Sequence, residues 1–460
     1  MKFGGTSVGS TERFTDVAKL VKNTWAKGET PVVVLSAMSG VTNGLIACAQ
    51  LAEKGELQEA LHKFEDIRKR HASVIKELFS KQKHSESAWE ELHPFFANME
   101  ILLQGVGYLK ELSPRSLDAI SGLGELLSSK IFARFLNDCG QEAVWLDARQ
   151  FMLTDENFGQ ATPLWDEINV RARGLCQSHL DQKRVIVTQG FIGATLNGIS
   201  TTLGRGGSDY SASIIGVALD AKEIQIWTDV DGMMTADPRL VPEAKALSEV
   251  SFHEASELAY FGAKVLHPLT IAPAVAKNIP VRILNTMRPE SKGTAITANA
   301  PAASERANIC SIASKKSLTA IFIRSNRMLM THGFLAKVFD IFARYETPID
   351  LIATSEVSIS LTTDKVDQLP KITRDLEDLG DEIRILNDVA IVSVVGQHFR
   401  ESSGLAGRVF SALQDINVIM ISYGASDLNL SFVVATGDAD RAVKYLHRQF
   451  FEAEMVARSH

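Results

Sequence analysis

The sequence is poor in the features that mark several large protein classes. Its four cysteines (Cys48, Cys139, Cys176 and Cys310) lie far apart with no C-x-x-C pair. That spacing excludes a disulfide framework and a cysteine zinc site, and reads as reduced thiols. No apolar run reaches membrane-spanning length; the greasiest stretches, such as Pro31–Leu35 and Val389–Val395, are strand-sized. Positive charge is in deficit, 48 Lys and Arg against 55 Asp and Glu, for a net charge of −7. Such a balance argues against non-specific nucleic-acid binding and against a polybasic membrane surface. Phosphate motifs are missing too. There is no Gly-Lys dipeptide for a Walker A loop, no G-x-G-x-x-G after a strand-like run, and no H-R-D or D-F-G element. The polar, glycine-rich start is not a signal peptide. A soluble, cytoplasmic protein is expected.

What is present is ordinary globular composition, 45% hydrophobic and 22% charged over 460 residues. At about 100–200 residues per domain this chain holds two to four. Up to residue 296, short apolar runs (Thr30–Leu35, Arg184–Thr188, Glu223–Trp227, Pro280–Leu284) alternate with helical stretches such as Glu12–Lys22 and Glu125–Asn137. Continuous runs without alternation suit strands buried on both faces, as in a parallel sheet covered by helices. The charged, amphipathic stretch from Gln58 to Glu111 reads as a helical insertion. Residues 297–307 are small and proline-containing, a linker. Beyond it the spacing is βαββαβ-like and repeats. A shift of 71 residues lays Val338-Phe339 on Val409-Phe410, and Ser355–Leu361 on Ser426–Phe432. In the first copy Leu335, Val338, Phe339 and Phe342 are expected on one buried helix face.

Four segments could carry chemistry. Lys2-Phe-Gly-Gly-Thr-Ser-Val8 combines two glycines, through which backbone N–H groups can approach phosphate, with a mobile cation. Thr201-Thr-Leu-Gly-Arg-Gly-Gly-Ser-Asp209, leading into a helix over 210–219, places one arginine among three glycines, an anion-binding nest with a bidentate donor. Trp227-Thr-Asp-Val-Asp-Gly232 ends a strand in carboxylates, and is followed by Thr235-Ala-Asp-Pro-Arg239. In Phe261-Gly-Ala-Lys-Val-Leu-His-Pro268, Lys264 can reach a nucleotide phosphate, whereas His267 before proline reads as a packed turn residue. Glu125, in Gly122-Leu-Gly-Glu-Leu126, suits a substrate ammonium or simply a helix N-terminus.

Taken together, KFGGTSV, LSAMSGVTN, GELLS, TTLGRGGSDY, WTDVDG and FGAKVLHP resemble, in order, the aspartate kinases of the amino-acid kinase family. GFLAKVF and ATSEVSISL are similar to their paired ACT modules. The resemblance spans essentially the whole chain and implies the monofunctional, lysine-sensitive type. It implies a three-layer α/β/α sandwich kinase domain over 1–296, a linker over 297–307, and two ferredoxin-like ACT domains over 308–386 and 387–460, with strand exchange between them as an option. By the same resemblance Lys2 stabilises the transferred phosphoryl group, with Asp209 as organiser and Arg205 as a further catalytic cation. Thr42, Glu125, Arg205 and Ser208 bind aspartate. ATP falls to Lys2, Gly4, Gly5, Thr228, Asp229, Met234, Arg239 and Lys264, with Mg²⁺ carried by ATP rather than by direct protein ligands. Lysine as effector is implied at Met328, Thr331, Gly333, Phe334, Leu335, Ile349, Asp350, Thr354, Ser355 and Glu356, in a homodimer joined through the ACT domains, with a tetramer as a further option. Two positions depart from the family pattern. Only Met1 precedes the lysine of KFGGTS where the family has several strand residues, which implies either a clipped first strand or a true start upstream, and Met234 replaces a frequent tyrosine. A sibling kinase for glutamate, acetylglutamate or a nucleoside monophosphate is the nearest competitor; paired ACT modules and GELLS count against it. A catalytically silent amino-acid sensor is the other, opposed by the intact set of charged site positions.

Overall fold

Alternate side chains of a strand point to opposite faces, so a strand buried at every position needs cover on both sides. Val185–Gln189 meets that condition at all its residues, and Val33 to Leu35 do likewise. The structure, a computed structural model, describes residues 1–261, 268–298, 309–329 and 332–452. It divides into two compact units: Met1–Met233, Ser248–Phe252 and Val265–Ala298 form one, and Met234–Leu247, His253–Lys264 and Asn299–His460 the other. Of the expected linker, 299–307 lie outside the described residues.

In the first unit the main sheet is built from β1 (Lys2–Phe3), β2 (Val32–Leu35), β3 (Ala143–Trp145), β4 (Val185–Gln189), β7 (Ile224–Thr228), β8 (Glu249–Ser251), β9 (Val281–Asn285) and β10 (Thr294–Thr297), in the order β3-β4-β2-β1-β7-β9-β10-β8. All its pairings are parallel except β9 with β10. A separate ribbon pairs β5 (Ile192–Ala194) with β6 (Ser200–Thr202). The helices are α1 (Thr11–Ala26), α2 (Val41–Glu53), α3 (Leu57–Leu78), α4 (Gln82–Leu109), α5 (Pro114–Ser121), α6 (Leu123–Asp138), α7 (Trp165–Asp181), α8 (Gly207–Ala218) and α10 (Pro268–Lys277), with α9 (Phe252–Phe261) lying mainly in the second unit. The stripe Phe14, Val17, Ala18, Val21 turns α1 toward the core, and Ser10 caps it by accepting from the Arg13 N–H. The amphipathic insertion is the α3–α4 hairpin, whose Phe64, Phe96 and buried His71 join that core. β1 has only two residues but sits centrally, paired to β2 and to β7. At β1 the chain order reverses direction along the sheet, the place where α/β proteins open a crevice for ligands.

The second unit carries one six-stranded antiparallel sheet, β12 (Leu351–Thr354), β13 (Ser358–Thr363), β11 (Ile309–Arg324), β14 (Glu382–Gly396), β16 (Asn429–Ala435), β15 (Met420–Tyr423), in that spatial order. Its helices are α11 (Phe334–Arg344), α12 (Leu369–Glu377), α13 (Leu405–Ser411) and α14 (Thr436–His447). The 71-residue repeat is visible in the backbone: α11 and α13 are each entered through a left-handed glycine, Gly333 (φ 78°) and Gly404 (φ 75°). Two strands run through both copies. Residues 309–315 of β11 pair with 391–396 of β14, and after a register shift between Lys315 and Leu318 the rest pairs with 382–389 and with β13. Ile312 therefore packs in the core of the second copy, and Ile321 and Ile323 in that of the first. One expectation is corrected. The buried face of α11 is Phe334, Val338, Ile341 and Phe342, whereas Leu335 and Phe339 are exposed. The helix enters one residue before Leu335, and that phase puts Phe334 rather than Leu335 inward.

Candidate active site

Lys2 stands at the centre of the sheet, its backbone fixed between Val34 and Ile226. Its ammonium lies 2.6 Å from Asp209 Oδ1, with both side chains mostly buried. Asp209 can reach it because α8 begins at Gly207, three residues earlier than the 210–219 expected, so Ser208 and Asp209 lie in its first turn. The earlier start follows from Gly206, a left-handed N-cap (φ 72°) that any residue with a Cβ would strain. Gly5 is required for a different reason: a Cβ there would lie 2.8 Å from the Ala37 carbonyl oxygen. The two glycine-rich turns thus converge on one cleft of 310 Å³, lined by Lys2, Gly4, Gly5, Ser36, Thr42, Glu125, Phe191 and residues 204–209.

Glu125 lies in the first turn of α6 and is buried. Burial pushes its carboxyl up to about 8, against the opposing pull of the Ala37 backbone N–H, its own backbone N–H and Lys2. Its Oε2 has no hydrogen-bond partner among the described residues. A buried carboxyl with a vacant acceptor, beside a cleft, is a place for a cationic ligand group. Arg205 is the opposite case, exposed at the rim and without an ion-pair partner among the described residues. Thr42 lies in the first turn of α2, behind the left-handed Gly40. Sequence reasoning did not single out Ser36, Phe191 or Asp118. Phe191 holds a left-handed φ of 68° and donates its N–H to Ser211 Oγ at 2.9 Å; no motif signals it. Asp118 accepts from the Gly159 and Thr202 backbone N–H groups and from Thr202 Oγ1, tying α5 to β6.

The nucleotide-side residues are distributed. Thr228 ends β7 and Asp229 follows it, with a contact of 3.3 Å between their side chains. Asp231, next along, is occupied by Asn285 (2.6 Å) and Arg288. Met234 and Arg239 belong to the second unit, where Arg239 is exposed and forks onto Asp237. Lys264, like His267, lies outside the described residues. The structure therefore brings together Lys2, Gly4, Gly5, Thr42, Glu125, Arg205, Ser208 and Asp209.

The effector positions lie in the second unit. Gly333, Phe334 and Leu335 start α11, Ile349 and Asp350 precede β12, Thr354 ends it, and Ser355 and Glu356 lie in the β12–β13 turn. Met328 and Ile349 pack against the core of the first copy, and Phe334 is part of it. Thr331 is outside the described residues. Glu356 is exposed and forms no ion pair with a described residue, whereas Asp350 is already paired with Lys315 (2.6 Å).

The amino acid kinase family matches residues 1–285, and an ACT domain matches 392–450. Aspartokinase 1, chloroplastic, of Arabidopsis thaliana is 39% identical over 98% of this chain and 80% of its own. The chain belongs to the aspartokinases. Within that family, lysine-sensitive aspartokinase 3 of Escherichia coli K12 is 36% identical over 98% of both chains. Among solved aspartokinases, the E. coli aspartokinase III complex with aspartate and ADP superposes with a TM-score of 0.85, at 35% identity over 98% of this chain and 99% of that one. As an aspartokinase this chain is a nucleotide-using kinase of mixed α/β fold with C-terminal ACT domains. Among the described residues no helix is long and apolar enough to cross a membrane.

Proposed function

We propose that the protein transfers the γ-phosphoryl group of ATP to the β-carboxylate of L-aspartate, giving 4-phospho-L-aspartate and ADP, and that lysine restrains it. The observation that carries the reading is the Lys2–Asp209 pair, set between two glycine-rich turns and beside the vacant Glu125 carboxyl. Aspartate's acceptor carboxylate is already ionised at neutral pH, with a reference value of about 3.9, and needs no general base. Among the described residues, no histidine lines the cleft. Catalysis then rests on position and charge. Glu125 receives the substrate α-ammonium, Arg205 forks onto its α-carboxylate, and Thr42 and Ser208 add hydrogen bonds. These contacts leave the β-carboxylate free to face the phosphate. Its oxygen forms the new bond to γ-phosphorus while the bond to the β,γ-bridging oxygen breaks and ADP departs. Lys2, oriented by Asp209, neutralises charge on the phosphoryl oxygens, with the N–H groups at Gly4 and Gly5 beside it. Thr228, Asp229, Met234, Arg239 and Lys264 attend the nucleotide.

Mg²⁺ is expected with ATP. It prefers oxygen ligands and substrate phosphates to protein cages, and the described residues hold no group of three or more His, Cys, Asp or Glu arranged for a metal. An ion carried by the phosphates would supply further neutralisation of their charge. A homodimer joined through the ACT modules, in the cytoplasm, completes the proposal. ADP release coupled to NADH oxidation tests the reaction. Turnover with L-aspartate but not with L-glutamate, N-acetylglutamate or a nucleoside monophosphate is expected; turnover with none of them would make the chain a silent sensor.

A further inference from the structure

Asp350 and Glu356 are the two acids among the implied effector positions, and either suits the side-chain ammonium of lysine; Asp350 is not open in this structure. Its side chain is 2% exposed. Oδ1 accepts from Lys315 Nζ at 2.6 Å and from the Tyr260 hydroxyl at 2.9 Å, while Oδ2 is buried with no hydrogen-bond partner among the described residues. Lys315 also pairs with Asp364 at 2.9 Å, and its ammonium lies 5.2 Å from the centre of the Tyr260 ring. Cation, phenol and acid thus form one closed cluster, in which an alkyl ammonium from this chain sits where an alkyl ammonium from a ligand would sit. Lys315 is held there by the backbone. It is the last paired residue of β11 before the register shift to Leu318, two residues ahead of the left-handed Ser317 (φ 62°). Tyr260 comes from α9, which is fastened on its other side as well: Glu257 accepts from Asn429 Nδ2 at 2.6 Å and from Ser426 Oγ at 3.3 Å.

The geometry points to Lys315 as a tethered occupant of the effector site and to Tyr260 as its cover, so that an amino acid with a side-chain ammonium binds only by displacing both. The two are affinity- and specificity-determining residues that work through Asp350. A ligand whose competent state is a minor one binds more weakly by the fraction of that state. Removing the internal cation leaves Asp350 and Asp364 uncompensated and should draw an external one in. A neutral side chain of equal length cannot replace the displaced charge, so selectivity for a cationic amino acid follows from the same cluster.

The inference rests on the proposed effector role of Asp350, and the test separates the two. Calorimetric titration of the full-length protein with L-lysine and with L-norleucine would be compared for the natural chain and for Asp350→Asn, Lys315→Met and Tyr260→Phe. Asp350→Asn should abolish lysine binding; unchanged binding there would sink the effector reading itself. With that reading intact, Lys315→Met should bind lysine about tenfold or more tightly, and Lys315→Arg should restore the weaker binding. Tyr260→Phe, which loses a single hydroxyl and serves if Lys315→Met does not fold, should also tighten it. Norleucine should bind none of them. Weaker lysine binding in Lys315→Met or Tyr260→Phe would overturn the inference, because it would make these residues supports of the acid rather than rivals of the ligand.

Discussion

A carboxyl group buried without a cation of its own costs stability, and Glu125 bears that cost at the edge of the cleft. Its native value near 8 lies above the ordinary 4.5. Between those two pH values the unfolded chain has released a proton that the folded one keeps, so stability falls as pH rises through this window. Glu125→Gln should therefore gain in melting temperature relative to the natural protein between pH 5 and pH 8, read by thermal unfolding without ligand. Substrate acts in the other direction: its ammonium favours the carboxylate and expels the proton. The KM for aspartate in the natural protein should fall by roughly tenfold per pH unit up to about pH 8, and that slope should vanish in Glu125→Gln. Lys2→Met should lower kcat by about 10²–10³ with little change in the KM for aspartate, because its charge is used on the phosphoryl group. A large rise in KM instead would place Lys2 at the acceptor. These residues were legible in sequence because glycines crowd around them. The burial of Glu125 was not, since it arises where Gly124 meets Ala37, a contact between segments far apart in the chain. Phe191 carries no sequence mark, and Ser36 only its place in LSAMSGVTN; the two are placed just beyond the ends of β4 and β2.

Among the elements, the α3–α4 hairpin shows what sequence periodicity conveys and what it leaves out. Amphipathic spacing announces two long helices. It does not announce that His71 is fully buried, with Nδ1 2.7 Å from the Ile67 carbonyl and Nε2 without a partner among the described residues. Burial holds its imidazole down at about 4, below the ordinary 6.5. As pH falls through that range the unfolded chain takes up a proton that the folded hairpin refuses, so stability is lost, up to about 3 kcal/mol over the whole window. His71→Gln should lose less stability than the natural protein between pH 7 and pH 4.5 in urea unfolding; an equal loss would show that other groups govern the acid limb. Helix boundaries near the site were less legible. The early start of α8 depends on a left-handed glycine whose effect is conformational and leaves no hydrophobic pattern.

At the scale of the molecule, the 71-residue repeat was readable because recurring words survive in sequence. The division of labour between the copies is readable from the same shift: Asp350 falls opposite Ile421, so an acid at that place exists only in the first. Exposed Leu335 and Phe339 lie one turn apart on α11, an apolar stripe fit for the proposed dimer. Phe339→Asp should halve the mass measured by light scattering while leaving the fold intact by circular dichroism. An unchanged mass would move the contact elsewhere. Less legible was the allegiance of residues 234–247 and 253–261, which read as surface turns and a helix of the kinase half. In the first of these segments the buried Ala236 and Val241, with Leu240 and Ala244 against them, are satisfied in the core of the second ACT copy.

The shared strands also constrain how the protein comes off the ribosome. When β11 emerges, its first half touches the Met234 and Thr235 carbonyls but has no strand to pair with among the described residues until the distal half of β14, ending at Gly396, has been translated. β14 in turn waits for β16. A nascent chain halted at the boundary between the two copies would present an open ladder of amides and carbonyls, an invitation to pair with another unfinished copy.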